Sequence, residues 1–233
     1  LLIDRQEKMN RLTHREFLYR SAFELGRQLI GYEIQKSLAL VDWFKKKWPD
    51  QPIGMIGWGE GGLITQYAAA IDTRIHSACV SGYFDSRQNI WQEPIDRNIF
   101  GLLEQFGDAE IAALIAPRAL IIDAALGPKA SIPGGRGAPA RIVTPSLDSV
   151  KKEFNRAEQI VSNLNPPAKF YLIDNNQKPL GDNALSQFLK SLDPNSALKQ
   201  AERNNISNKN KNFDPTTRHA KQFHELDRHT QWL

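Results

Sequence analysis

The run Gly57-Trp58-Gly59-Glu60-Gly61-Gly62 is the part of this 233-residue chain whose residue types and spacing most directly suggest chemistry. It joins a short apolar stretch, Ile53 to Ile56, to an Ala-rich helical one beginning near Leu63. A glycine-rich turn between strand and helix serves three kinds of site. The phosphate loop ends in Gly-Lys followed by Ser or Thr, and no Lys stands here. The dinucleotide fingerprint G-x-G-x-x-G is met in spacing, but the acidic residue expected about 20 positions on finds only Asp85, beyond the turn-like Ser81-Gly82. In the nucleophile elbow G-x-S-x-G, Gly57 and Gly61 take the flanking positions, where side chains would clash, and Gly62 follows. Gly59 then stands where the nucleophile belongs. The shape of the turn is kept and its reactive atom is absent.

Acyl transfer also needs a base, a carboxylate that orients it, and oxyanion donors. Glu60 offers its backbone N–H toward an oxyanion, while its carboxylate is a poor nucleophile for an ester. Ser81 is the nearby hydroxyl that could replace the missing nucleophile, although it lacks the strained turn that exposes one. Asp123 and Asp85 are the carboxylate candidates, each read more simply as an inward hydrogen-bond acceptor or a turn former. The chain has five histidines. His76 falls at the start of a strand, at the end of the sheet away from the turn. His219, His224 and His229 recur every five residues, which does not make one helical face for a metal. His14 is the remaining candidate base, and a capping or solvent-facing role explains it more simply. The segment Asp174 to Lys178, where a base would follow the last strand, contains no His. One cysteine, Cys79, excludes an internal disulfide and a Cys-based zinc site. No metal or cofactor is expected.

Composition is that of an ordinary globular chain, with 41% apolar and 24% charged residues. No stretch reaches the ~18 uncharged apolar residues of a membrane-spanning helix, and no membrane partner is expected. The net charge of +4 has no basic stripe interleaved with aromatics behind it, which argues against nucleic acid. Residues 1–193 are nearly balanced, with 23 basic against 22 acidic, and the excess lies in the last forty, a solvated polar tail.

The elements that must position these residues alternate between two periods. Ile30, Ile34, Leu38 and Val41 recur at helical spacing, Lys45-Lys46-Lys47 suit the helix C-terminus, and Pro49 and Pro52 end the helix. Strands are expected at 53–57, 77–81, 119–124 and 169–173. Helices are expected from Leu63 to Ile71, across 97–115 with a break at Gly107 and Asp108 as cap, from Ser146 to about Leu164, and from Asn183 to Leu192. Glu16 and Arg20 form a helical i,i+4 ion pair. Residues 125–145, rich in Gly, Pro and Ala, read as a long loop and a candidate lid beside the turn. Trp58, Trp91, Tyr83 and Phe84 are candidate pocket aromatics. Asn204 to Asn212 reads as a linker, leading into a helical tail. Strand–helix units of this length imply an α/β fold, a three-layer α/β/α sandwich around a mostly parallel sheet.

The stretch GMIGWGEGGLITQYAAAI (Gly54 to Ile71), the following Asp72-Thr73-Arg74-Ile75 and the phrase Ile115-Ala116-Pro117-Arg118-Ala119-Leu120 resemble the α/β-hydrolase superfamily. They are most similar to its dienelactone hydrolase and acetyl xylan esterase-like branches. The resemblance covers roughly residues 1–193. It implies that this is the C-terminal part of an α/β-hydrolase fold, that Leu1 to Ile3 end its fourth strand, and that the earlier strands, with one oxyanion donor, lie upstream. It also implies that the catalytic triad is degenerate. The function expected is that of a binding or structural module beside another domain of the same parent protein, with a small ester or carbohydrate as possible ligand. An active esterase or deacetylase completed by residues outside this chain is the alternative, and a Rossmann-like nucleotide binder the second. Compartment stays open. The strand edge left bare by missing strands is expected to favour self-association or poor solubility.

Overall fold

The computed structural model describes residue 5, the backbone of residues 8–9, and residues 11–132, 139–199 and 213–233, side chains excepted at 175–177. The chain opens with a two-residue antiparallel pair, β1 (Lys8–Met9) and β2 (Leu12–Thr13). Helix α1 (His14–Glu24) follows, capped by the Thr13 side chain, which accepts from the Glu16 N–H at 3.2 Å. Next come α2 (Leu29–Lys47), β3 (Ile53–Trp58), α3 (Glu60–Ile71) and β4 (Ile75–Ser81). Short 3₁₀ turns then lead to α4 (Asp108–Ala113), β5 (Ala119–Ala125), β6 (Ala130–Ser131) and β7 (Arg141–Ile142). The remainder is α5 (Leu147–Val161), β8 (Lys169–Gln177), α6 (Asp182–Leu192) and α7 (Pro215–Trp232).

The main sheet has the order β3-β4-β5-β8, all parallel, so consecutive sheet strands are neighbours. Alternate residues of β4 and β5 face opposite ways, as the strand period of 2 requires. Ala78, Val80, Leu120 and Ile122 enter one core with α2, α3, α4 and α5. Cys79, Ala119 and Ile121 meet Ala184 and Phe188 of α6 on the other face. Two helical layers therefore sandwich the sheet, and the α/β architecture is as expected. On α5 the buried Val150, Phe154, Ala157 and Val161 form one stripe, each worth about 1.5–3 kcal/mol when fully buried for the large side chains.

Several boundaries differ from expectation. The α4 cap is Gly107, with its N–H donating to Glu110 Oε2 at 2.7 Å. Asp108 instead turns inward and is wholly buried, and residues 95–104 make only 3₁₀ turns. Strand β8 continues to Gln177, through the segment read as a loop. The 125–145 loop contains the β6–β7 pair. The tail helix α7 lies against α1, with Phe223 packed on Leu18, Tyr19 and Leu29. The strand expected at Leu1 to Ile3, the Pro133–Gly137 stretch and the linker at Asn204 to Asn212 lie outside the described residues.

The phrases that carried the family resemblance build structure. Asp72 accepts from the Arg74 N–H at 2.9 Å and pairs with its guanidinium. Arg118 donates to the carbonyls of Asp72 at 3.1 Å and Ile75 at 2.8 Å. Together they clamp the α3–β4 turn to the start of β5.

Candidate functional site

Strand β3 ends at Trp58 and α3 starts at Glu60, so Gly59 alone makes the turn, with φ 57° and ψ −117°. This left-handed backbone is one that side-chain-bearing residues rarely adopt. The Gly59 N–H donates to the Ser81 carbonyl at 2.9 Å, and Leu63 N–H closes the first helical hydrogen bond to the Gly59 carbonyl at 3.1 Å. Helix geometry leaves the N–H groups of Glu60, Gly61 and Gly62 without intrahelical acceptors. A strand, a sharp bend and a helix N-terminus thus meet at Gly59.

The steric reason for the glycines is asymmetric. A Cβ on Gly57 would stand 2.0 Å from the Gly61 carbonyl oxygen. A Cβ on Gly61 would meet nothing within 4 Å, so the expected clash holds for one flank only. Gly62 is tight as well, at 3.2 Å from both the Ser81 carbonyl and Tyr83 Cβ. At Gly59 itself, a Cβ would lie 2.6 Å from Pro128 Cδ and Cγ. Pro128 belongs to the segment after β5, which is fastened over the bend. Trp58 Nε1 donates to the Leu126 carbonyl at 2.7 Å, and Gly127 exchanges hydrogen bonds with Thr144 Oγ1. The segment after β5 therefore covers the bend at Gly59.

Two of the expected residues do meet at the C-terminal ends of the strands. Ser81 and Asp123 are register partners, and Ser81 Oγ donates to Asp123 Oδ2 at 2.7 Å. The Leu180 N–H donates to the same carboxylate oxygen at 2.9 Å. Asp123 thus binds a hydroxyl from β4 and a backbone amide from the segment after β8. Ser81 is fully buried and spends its proton on that carboxylate, so it is not placed as a nucleophile. Asp85 caps its own turn, accepting from Ser86 N–H at 2.8 Å and from the Ser149 hydroxyl, while its N–H donates to Asp108 Oδ2 at 3.1 Å. It holds a loop, its carboxylate engaged by the Ser86 N–H and the Ser149 hydroxyl.

His14 does not reach the turn. It begins α1, with its ring stacked on Phe223 at 4.2 Å and on His219 at 5.7 Å between centroids. His76 sits at the far end of the sheet as expected, accepting from the Ile53 N–H at 3.1 Å. Of the pocket aromatics, Phe84 is core, Trp58 and Trp91 are exposed, and Tyr83 lines a cleft. Among the described residues no group of three or more potential metal ligands occurs.

Glu60 is the centre of an arrangement that sequence reasoning missed. Its carboxylate pairs with Arg5 and, at 3.1 Å, with Arg97. From Arg5 the chain of charges runs to Asp96 at 2.6 Å, on to Arg15 at 2.7 Å and to Glu33 at 2.5 Å. From Arg97 it runs to Glu93 at 2.8 Å, to Arg87 at 3.3 Å and to Asp108 at 3.3 Å. Burial acts to raise the Glu60 and Asp96 carboxyls, but the guanidiniums of Arg97, Arg5 and Arg15 outweigh it, and both end below their ordinary values. At the end of the chain the balance reverses. Burial pushes the Asp108 carboxyl up to about 6 against the pull of Arg87. A signal for this network was present in the sequence: Arg15 shares a helical face with Leu18, Tyr19 and Ala22, and Glu33 with Ile30 and Ile34. The Glu60 carboxylate is thus held between the guanidiniums of Arg5 and Arg97.

Beside the turn lies a polar cleft of about 200 Å³, with Asp85, Arg87, Glu93, Arg97, Pro128 and Arg141 in its walls. A larger cavity, about 490 Å³, lies at the other end of β3, between Phe44, Trp48, Pro52 and Gly54.

No family model matches this chain. Over 110 residues it is 33% identical to a protein of Bacillus subtilis (strain 168) named "Putative hydrolase YtaP", a stretch that is 43% of this chain and 36% of that protein. The chain thus spans about a third of the length of the curated relative it matches. A glucuronoyl esterase from Solibacter usitatus superposes with a TM-score of 0.48 at 13% identity, over 71% of this chain and 48% of that one. A promiscuous CE15 esterase from a marine bacterial metagenome gives 0.48 at 14%, over 71% and 49%. A CE15 glucuronoyl esterase from Caldicellulosiruptor kristjansonii gives 0.37 at 14%, over 69% and 47%. All three scores fall below 0.5, and the α/β assignment rests on the sheet order and helical layers alone.

Proposed function

We propose that this chain is an α/β-hydrolase-like domain without its own acyl-transfer chemistry, a binding or structural module of a larger hydrolase-like protein. The observation that carries the proposal is the elbow. Its strained backbone is present at Gly59, and Pro128 occupies the space a nucleophile's side chain would need. The segment Asp174 to Lys178, where the resemblance puts the base, contains no His, and Asp123 accepts from the Ser81 hydroxyl and the Leu180 N–H. Losing members of a catalytic triad costs on the order of 10⁴–10⁶ in turnover, so little hydrolysis is left to this polypeptide. Local identity to YtaP over 110 residues agrees with a hydrolase ancestry.

A second reading is favoured by what the elbow retains. The N-terminus of α3 still presents free N–H groups able to bind an anion or a polarised carbonyl. An active ester hydrolase would then need its nucleophile and base from residues outside this chain. Incubation of this chain with a fluorophosphonate probe, together with p-nitrophenyl acetate hydrolysis, tests the first reading, which expects neither labelling nor turnover above buffer; stoichiometric labelling with matching turnover would overturn it. The second reading expects both only in the longer protein that contains this chain, and expects Gly61→Pro, which removes one α3 N-terminal N–H, to abolish them there.

A further inference from the structure

We propose that the polar cleft beside the glycine turn binds a small carboxylate-bearing molecule, whose carboxylate displaces the Glu93 side chain from the guanidiniums of Arg87 and Arg97. The inference gives the binding-module reading a ligand class and rests on that reading. Its test reads anion binding rather than ester hydrolysis, so either can fail without the other.

The cleft lies between the segment after β4, which supplies Tyr83, Arg87, Glu93 and Arg97, and the segment after β5, which supplies Pro128 and Arg141. Its two arginines from the first segment are held from behind. Arg87 turns its Nε to Asp108 Oδ2 at 3.3 Å and donates from Nη2 to the Tyr83 carbonyl at 3.2 Å. Arg97 turns its Nε to Glu60 Oε2 at 3.1 Å. Both guanidinium carbons lie over the Tyr83 ring, at 4.6 Å and 5.3 Å from its centroid, a stacking that suits the planar guanidinium. The two side chains are only 7% and 5% exposed. Anchoring, stacking and burial fix this pair before a ligand arrives, which lowers the ordering penalty of binding.

The Nη1 of each arginine is left for the cleft side, and Glu93 takes both. Arg97 Nη1 reaches Glu93 Oε2 at 2.8 Å, but Arg87 Nη1 stands 3.3 Å and 3.5 Å from the two carboxylate oxygens. Well-seated guanidinium–carboxylate bonds close to about 2.7–2.9 Å, so Glu93 satisfies one arginine and only approaches the other. It follows the 3₁₀ turn Arg87–Gln92, and at 18% its side chain is the most exposed of the three. A loop-borne carboxylate loosely seated on a fixed cationic pair is a stand-in that a free carboxylate of better geometry replaces. When Glu93 leaves, Arg87 keeps Asp108 and Arg97 keeps Glu60, so neither buried charge is stranded.

The surrounding groups favour an anion. The Arg141 side chain has no ion pair or hydrogen bond among the described residues. With Glu93 displaced, the lining sets Arg87, Arg97 and Arg141 against Asp85 alone. Asp85 is already engaged by the Ser86 N–H and the Ser149 hydroxyl. Asn89 and Gln92 bring side-chain amides for the remaining polar groups of a ligand. The cleft holds about 200 Å³, below the roughly 300–1,000 Å³ of drug-sized sites, which keeps the ligand to a few carbons.

The test is calorimetric titration of the full chain with succinate, beside inorganic phosphate and sodium chloride at matched ionic strength, in the parent, Glu93→Gln and Arg141→Ala. A tethered competitor acts at an effective concentration in the millimolar range, so Glu93→Gln is expected to bind succinate about tenfold more tightly than the parent. Arg141→Ala, at an exposed position, is expected to bind it about threefold more weakly. Circular dichroism shows whether Glu93→Gln is folded. If it is not, the melting temperature decides: succinate at about 100 mM should raise that of the parent above matched chloride, and Arg141→Ala should diminish the rise. No response to succinate beyond chloride overturns the proposal. So does equal affinity in the parent and folded Glu93→Gln, indifference to Arg141→Ala, or a response to phosphate alone.

Discussion

Pro128 packs directly over Gly59, with its ring carbons 2.6 Å from where a Cβ would stand. The bend is therefore closed to a side chain twice over, by its φ of 57° and by its neighbour. Gly59→Ser is expected to destabilise the fold by about 1–3 kcal/mol from backbone strain, with the collision adding to it. It should not create esterase activity, because the segment Asp174 to Lys178, where the resemblance puts the base, contains no His. In a thermal-melt double-mutant cycle, Pro128→Gly should recover part of the loss caused by Gly59→Ser. Strict additivity of the two would show that Pro128 and position 59 do not interact.

The two flanking glycines should respond in opposite ways. Gly57→Ala drives a methyl group into the Gly61 carbonyl, 2.0 Å away. The obstacle is backbone, so the variant should lose several kcal/mol or fail to fold. Gly61→Ala finds open space inside α3 and should gain about 0.5–1 kcal/mol from helix propensity. Urea denaturation of both variants reads the contrast, and a harmless Gly57→Ala would contradict the elbow geometry.

Asp96 bridges Arg5 and Arg15 with its carboxylate, 2% exposed. Asp96→Asn leaves the two guanidiniums facing each other around a neutral amide. Breaking a buried pair in this way typically costs about 3–5 kcal/mol. The loss should appear as a lower urea midpoint with the m-value unchanged, and a change under 1 kcal/mol would mean the network is worth no more than surface pairs.

Asp108 gives the pH dependence. Its folded value, about 6, lies above the ~3.9 of an unfolded aspartate, so the folded state holds this proton more tightly. That contribution is complete below about pH 4 and is lost as pH rises through 6, amounting to roughly 3 kcal/mol at most. Glu60 and Asp96, held low by their arginines, act in the other direction, their contributions being lost as pH falls below the ordinary carboxylate range. Subtracting the Asp108→Asn stability curve from that of the parent should leave a decline between pH 4 and 7. A flat difference would remove Asp108 as the group responsible.

Periodicity and punctuation made most of the sheet legible. Proline and glycine bracket β3 and precede β5, and short apolar runs gave all four sheet strands to within a few residues at the start and end of each, except the polar extension of β8. Those last residues pair in the sheet without apolar character, so no hydropathy pattern could reveal them. The glycine turn was readable because its spacing is imposed locally, by the approach of Gly57 to the Gly61 carbonyl. His14, by contrast, is only a candidate base or a capping or solvent-facing residue from chain order, and its ring packs on His219 and Phe223 of α7, more than 200 residues downstream.

The amino-acid order alone determined the α/β layering, the strand-to-helix bend and the absence of a nucleophile at residue 59, since each depends on neighbours within a few positions. Tertiary structure alone decided what fills the bend and what Glu60 does. Pro128, 69 residues after Gly59 in the chain, covers the bend, and the arginines at 5 and 97 claim the carboxylate. Contacts between such distant positions leave no periodic trace, because they are fixed by how the layers close over one another and by the need of every buried charge for a partner.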